Sequence, residues 1–344
     1  MSKSKIKSEE IKKILCIKPR GIGDIILSTI VLENLSSAFP NSQIHYLTEE
    51  FAKRAVQNNP FISKILTFNR KDFILSIIRK VRKEKYDLIF DFWSNPKTAQ
   101  VTFFSGSKSR VGYEKRGRKY AYNFIGKAGT MGVHAAEDNL VLLNALNIPI
   151  ISKRIIYQTT KAEKTFAENY LNENFPQRKE LLIGIIPSGG WKSKRCDPAK
   201  WIEICNEIQK KYQSHFLILW GPGDEKDAKS ISEGLNRTPL IAPKSSFGEL
   251  SGLIETCDLI IANDSGPMHV SAALGKPTLG IFGPTDPQAH RPYSDNSSYV
   301  IHSELHCIIC TKLVCPYGHE CMLELSIEKV MSEVGKLMKF TGKF

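Results

Sequence analysis

The stretch 258–287, DLIIANDSGPMHVSAALGKPTLGIFGPTDP, leaves few folds open to the chain that carries it. An uncharged apolar run fit for a strand ends in the polar turn Asn263-Asp264-Ser265-Gly266. A short helix of small residues follows, and a second apolar run ends in Gly283-Pro284-Thr285. Two such strands joined by a helix run parallel and are covered on both faces. Ser265 is an N-cap residue, and Pro267 stands where the first helical turn tolerates a missing N–H. Free N–H groups at a helix start attract anions. Open α/β sheets bind ligands at the carboxyl ends of their strands. The stretch therefore reads as a nucleotide-diphosphate site in a doubly wound α/β domain.

The same alternation runs along the rest of the chain. Apolar runs at 13–17, 43–47, 65–68 and 87–91 are separated by helical patterns at 24–39, 51–58 and 71–84. In the second half, strand patterns at 181–186, 215–220, 240–242, 259–262 and 278–282 alternate with helical ones at 198–212, 225–235 and 246–256, and a final helix covers 326–338. Alternation of this kind implies parallel βαβ units. A length of 344 residues suits two domains of ordinary size. The polar, Lys- and Glu-rich segment 158–180 reads as the join. The expected architecture is two Rossmann-like doubly wound domains, 12–160 and 181–325, facing each other across a cleft, followed by a helix over 326–340.

Charge narrows the function classes. The chain has 48 Lys and Arg against 35 Asp and Glu, a formal net charge of +13, which calls for a polyanionic partner. The excess clusters in 70–85 (RKDFILSIIRKVRKEK) and 108–119 (KSRVGYEKRGRK). The first has Phe73, Ile74, Ile77, Ile78 and Val81 at helical spacing. It reads either as a helix covering a sheet or as one lying on an anionic membrane surface. With no helix-turn-helix, zinc-finger or aromatic RNP signature, no nucleic-acid partner is expected. Charges interrupt every long apolar run, so no transmembrane helix is expected. The basic N-terminus, MSKSKIKSEEIKK, is not followed by an uncharged segment, because Lys18, Arg20 and Asp24 intervene, and a cytoplasmic location is expected.

Five further features carry chemistry. Gly21-Ile22-Gly23-Asp24 follows the first strand and opens the first helix, and its glycines allow close approach of a ligand. A dinucleotide fingerprint would need a glycine where Ile26 stands. Asp24 reads as a capping carboxylate or as a base for a hydroxyl nucleophile. Ser188-Gly189-Gly190 precedes Lys192, Lys194 and Arg195, a set of backbone donors and cations suited to a pyrophosphate leaving group. Glu225 reads as an acceptor for ribose hydroxyls or as a helix-start carboxylate. His269, in the first turn after Asp264-Ser265-Gly266-Pro267-Met268, is placed for phosphate contact. Cys307, Cys310, Cys315 and Cys321, near His306 and His319, read as buried or reactive thiols, with a structural zinc site as the alternative.

These patterns occur together, and in this order, in one family. The chain resembles glycosyltransferase family 9, the lipopolysaccharide heptosyltransferases, from about Ile14 to Val330. The carrying residues are Lys18 with Gly23-Asp24-Ile25, Pro187-Ser188-Gly189 followed by Lys194, Asn263 to His269, and Phe282-Gly283-Pro284-Thr285. The resemblance implies a GT-B fold and an inverting, metal-independent transfer from ADP-L-glycero-β-D-manno-heptose to a lipopolysaccharide core acceptor. It implies Asp24 as general base, Lys194 on the donor phosphates, Glu225 near the ribose and 264–269 on the diphosphate. Lys18, Arg20 and Gly23 fall on the acceptor side. It also implies that the last helix packs back on the N-terminal domain, and that the enzyme works peripherally on the cytoplasmic face of the inner membrane. The alternatives are a GT-B transferase with another nucleotide-sugar donor for a surface polysaccharide, and a non-catalytic nucleotide-sugar-binding protein. Where the family often has Lys-x-Trp-Pro after the phosphate loop, this chain has Lys194-Arg195-Cys196-Asp197-Pro198.

Overall fold

The computed structural model describes residues 7–127, 129, 132–176 and 178–342, so the first six residues of the basic N-terminus lie outside it. The chain divides into two compact units, Met1–Tyr157 and Gln158–Phe344.

The first unit runs β1 (Lys13–Ile17), α1 (Ile22–Ser28), α2 (Leu32–Ala38), β2 (Gln43–Glu49), β3 (Lys64–Phe68), α3 (Ile74–Glu84), β4 (Leu88–Asp91), α4 (Pro96–Phe103), β5 (Ser109–Tyr113), β6 (Phe124–Gly126) and α5 (Ala135–Asn144). Its sheet has the order β3-β2-β1-β4-β5-β6, and every pairing is parallel. Strand order reverses between β1 and β4, the position where such sheets open a binding crevice. The helix expected over 24–39 is broken by a 3-10 turn at Thr29–Val31. There the hydroxyls of Ser28 and Thr29 donate back to the carbonyls of Ile25 and Ile26, at 2.7 and 2.6 Å, a bond that competes with regular helix. The expected helix over 51–58 is likewise a 3-10 segment, Glu50–Ala55. Helix α3 buries Ile77, Ile78 and Val81 against β1 and β3, so its apolar face covers the sheet and is not free for a membrane.

The second unit runs α6 (Lys161–Asn174), β7 (Leu181–Ile186), α7 (Pro198–Lys211), β8 (Ser214–Ile218), α8 (Glu225–Gly234), β9 (Leu240–Ile241), α9 (Phe247–Thr256), β10 (Leu259–Asn263), α10 (Gly266–Ala273), β11 (Thr278–Phe282), α11 (Pro287–His290), β12 (Ser297–Ile301), α12 (Glu320–Leu323) and α13 (Ile327–Met338). The sheet order is β12-β11-β10-β7-β8-β9, again parallel throughout. Its core joins Trp201, Ile204 and Ile208 of α7 to β7, β8, β10 and β11.

Helix α13 places Val330, Val334, Leu337 and Met338 in the core of its own domain. The segment expected as a polar join contains α6, begun by a capping box of Thr160 and Glu163. Helix α6 packs on α9. The two backbones approach so closely that a Cβ on Gly252 would lie 2.3 Å from the Glu163 carbonyl oxygen.

A Gly252→Ala variant should therefore lose about 1–3 kcal/mol of stability in urea unfolding through overpacking. Gly190→Ala, where an added Cβ meets nothing within 4 Å, should unfold like the parent chain.

Candidate functional site

In the first unit the polar residues gather at the carboxyl ends of β1, β2 and β4. Gly21 has φ +79, and a Cβ there would lie 2.2 Å from Oδ2 of Asp24. The missing side chain is what lets the half-buried Asp24 carboxylate fold back over the start of α1, where Gly23 precedes it. Lys18, at the end of β1, is buried. Its ammonium donates to the carbonyl of Phe92 at 3.1 Å and stands 5.0 Å from the ring centre of Trp93. Burial pulls its pKa down, and the nearby carboxylates of Asp24, Asp91 and Asp138 oppose that pull. Asp91, at the end of β4, is fully buried, and burial raises its pKa. It accepts from the Tyr122 hydroxyl at 2.7 Å and from the N–H groups of Ser94 and Trp93 at 2.8 and 3.0 Å. Arg20 grips both carboxylate oxygens of Glu49, at 3.0 Å each. A cavity of about 270 Å³ opens here, lined by Arg20, Glu49, Arg70, Trp93 and Lys97 among others. Sequence patterning singled out Lys18, Arg20, Gly23 and Asp24. It missed Asp91 and Tyr122, whose pairing spans 31 positions.

In the second unit two cations are each held by a carboxylate. Lys194 Nζ lies 2.6 Å from Asp264 Oδ2, and the Thr285 hydroxyl donates to the same oxygen at 2.6 Å. The ammonium also stands 4.4 Å from the ring centre of Trp191, which places an aromatic side chain in this loop. Arg195 pairs with Asp224 at 2.7 Å and donates to the Gly189 carbonyl at 3.0 Å, while the Ser188 hydroxyl donates to Asp224 at 2.6 Å. Asp264 orients the Lys194 ammonium through their ion pair. The buried carboxylate after β8 is Asp224, whereas Glu225 is exposed in the first turn of α8.

Helix α10 begins as expected at Ser265, with Pro267 in its first turn, but Ser265 makes no side-chain capping bond. The Ser265 hydroxyl and the Asn263 side-chain oxygen are buried with no hydrogen-bond partner among the described residues. Polar atoms left in this state mark a place for a ligand or water. His269 is buried in α10, and Met268 lies in the core with its sulfur in the space that Gly280 leaves. Gly190 is exposed at the mouth of the Ser188–Gly190 turn.

The cysteine-rich segment supports this loop. Ser193 donates its N–H to the Leu313 carbonyl, and His319 Nε2 lies 2.8 Å from the Ser193 carbonyl oxygen. The N–H groups of Ile309 and Thr311 donate to the carbonyls of Gly283 and Pro284. Cys307, Cys310, Cys315 and Cys321 are free thiols. Burial pushes Cys321 up to about 12, and the neighbouring Cys315, Cys307 and Cys310 add to the shift. Among the described residues no group of three His, Cys, Asp or Glu is arranged to hold a metal ion. The zinc alternative is therefore not supported, and the segment acts as a brace. No helix among the described residues is long and apolar enough to cross a membrane.

The family model for glycosyltransferase family 9 (heptosyltransferase) matches residues 74–320. Lipooligosaccharide heptosyltransferase 2 of Campylobacter jejuni is 25% identical over 335 residues, covering 94% of this chain and 99% of that protein. Lipopolysaccharide heptosyltransferase 3 of Escherichia coli is 26% identical, covering 80% and 83%. Among solved structures, a family 9 glycosyl transferase from Veillonella parvula superposes with a TM-score of 0.85 at 20% identity, covering 98% and 99%. The E. coli heptosyltransferase WaaC with ADP-2-deoxy-2-fluoro heptose gives 0.69 at 17% identity, covering 94% and 99%. These likenesses show the GT-B fold.

The Lys194–Asp264 pair generates a stability prediction. Lys194→Met leaves a buried carboxylate with Thr285 as its remaining partner and should cost about 3–5 kcal/mol in urea unfolding. Adding Asp264→Asn should recover part of that loss; a double variant no more stable than the single one would show that the two side chains are not coupled.

Proposed function

The chain belongs to glycosyltransferase family 9, and from that premise we propose that it moves an L-glycero-D-manno-heptosyl group from ADP-heptose, with inversion, to a lipopolysaccharide core acceptor. The acceptor is Kdo-lipid A or its heptosyl form, met at the anionic cytoplasmic face of the inner membrane. That the chain is a glycosyltransferase follows from the family; a non-catalytic binding role is set aside on that ground. The observation that carries the donor reading is the Lys194 ammonium, fixed by Asp264 beside a helix start where the Ser265 hydroxyl and the Asn263 oxygen lack partners. Diphosphate oxygens would accept from the ammonium and from the Ser265 hydroxyl, while the Asn263 oxygen would take a donor such as a ribose hydroxyl or a water. The structural relative described with ADP-2-deoxy-2-fluoro heptose supports adenine as the base.

In the proposed reaction the acceptor hydroxyl attacks the anomeric carbon from the face opposite the nucleotide. Its proton passes to the Asp24 carboxylate as the new C–O bond forms. The bond from the anomeric carbon to the diphosphate oxygen breaks, and ADP leaves with the electron pair. Lys194, Lys192 and the N–H groups at Ser265 and Gly266 stabilise the charge that develops on the diphosphate. Ser188, Gly189 and Gly190 supply the turn over which it lies, and Glu225 takes a ribose hydroxyl from the exposed start of α8. Lys18 and Arg20 serve the acceptor side, where the buried cation faces Asp24.

A general base contributes about 10²–10⁴-fold to rate. Asp24→Ala should lower turnover by that much while thermal stabilisation by ADP stays as in the parent chain. Loss of ADP stabilisation with turnover intact would overturn the assignment. A donor screen with truncated core acceptor, read by mass, should give product from ADP-heptose. Product from UDP- or GDP-sugars alone would assign the chain to a different surface polysaccharide.

A further inference from the structure

With the apolar face of α3 committed to the sheet, its opposite face carries Leu75, Arg79, Arg82 and Lys83 at positions that line one side of a helix, all exposed. No acidic residue falls on α3 before Glu84, whose carboxylate is held by Lys64 at 2.6 Å. Large apolar groups stand at both ends of this basic stripe. At the start are Phe73, 86% exposed, and Leu75, 61% exposed. At the other end Arg82 donates to the Phe104 carbonyl at 3.2 Å, at the end of the neighbouring α4. There Phe103, Phe104 and Tyr120 form one aromatic cluster, 41%, 49% and 50% exposed. The ring of Phe103 is 5.0 Å from Phe104 and 5.3 Å from Tyr120, both edge-to-face. The cluster is rimmed by Arg110, 5.9 Å from the Phe103 ring centre.

Exposed rings clustered beside uncompensated cations suit one kind of surface well. Rings partition into the region below lipid headgroups, while Arg and Lys bury their stems and keep their charge at the phosphates. Single-stranded nucleic acid would need free ring faces for stacking, and these rings are engaged edge-to-face with one another. We propose that the outer face of α3 and the end of α4 dock the first unit onto an anionic lipid bilayer, with Phe73, Leu75, Phe103, Phe104 and Tyr120 entering the headgroup boundary. The stripe along α3 is about 16 Å long, and it reaches from the aromatic cluster to Asp72, whose carbonyl is held by Lys97 of the cavity described above. The proposal rests on the membrane part of the functional reading and names the surface that performs it.

The test is sedimentation of the full chain with vesicles of phosphatidylcholine containing phosphatidylglycerol, and with phosphatidylcholine alone. The parent chain should bind the anionic vesicles, and binding should weaken as salt rises. Phe103→Ser with Phe104→Ser should weaken binding by about tenfold or more, and each of Arg79→Gln and Lys83→Gln by about fivefold. Turnover on a soluble acceptor without acyl chains should stay at the parent level in all of them, with the melting temperature as the control for folding. Binding by the aromatic variant equal to that of the parent, equal binding to neutral vesicles, or no binding by the parent would each overturn the proposal. So would a change of mass in solution in the variant, which would assign the patch to a protein contact. Absence of turnover in the parent chain with vesicle binding intact would instead count against the catalytic reading alone.

Discussion

Every strand in both sheets runs the same way as its neighbours, and the rest of the molecule follows from that. Parallel strands cannot be joined by tight turns, so each must be followed by a crossover that packs back on the sheet. The strands are then covered on both faces and must be apolar along their length, as β7 and β10 are. Polar side chains are left one place to gather, the turns where strands give way to helices. Lys18, Glu49 and Asp91 sit at strand ends in the first unit for this reason, and Ser188, Asp264 and Thr285 do so in the second.

At these edges a cation rarely stands alone. Arg20 is gripped by Glu49, Lys194 by Asp264, Arg195 by Asp224, and Lys18 lies among three carboxylates. A half-buried cation without such a partner is costly. The partner does more than offset desolvation, because it fixes where the N–H groups point. A ligand that arrives then meets donors already aimed, and little reorganisation is needed as charge builds in a reaction. The acidic residue in each pair thus aims the cation beside it.

Much of this was legible in the sequence. Continuous apolar runs marked most strands of both sheets, and the small or polar residues that interrupt them marked Asp24, the Ser188 turn and the start of α10. Other features left weaker traces. Helix α6 buries only Ala167 and looks like a linker unless its capping box is noticed. The amphipathic face of α13 announces burial but not the surface it meets. Asp91 and Asp224 look like ordinary carboxylates because Tyr122 and Ser188, which satisfy them, are 31 and 36 positions away. The cysteine spacing drew attention to metal, whereas the backbone of the same segment does the work of holding the Ser193 loop.

That brace has a consequence for how the protein is made. The loop carrying Lys194 rests on residues 119 and 126 positions further on, and the core beneath it is completed by the last helix of its domain. During synthesis the first unit can fold as soon as residue 157 has left the ribosome, since domains fold as units from the N-terminus. The second must wait for almost its whole length. A stalled or truncated polypeptide would thus carry a finished Asp24 edge and no ordered loop for Lys194. The Lys194 loop becomes ordered only after α13 has been made.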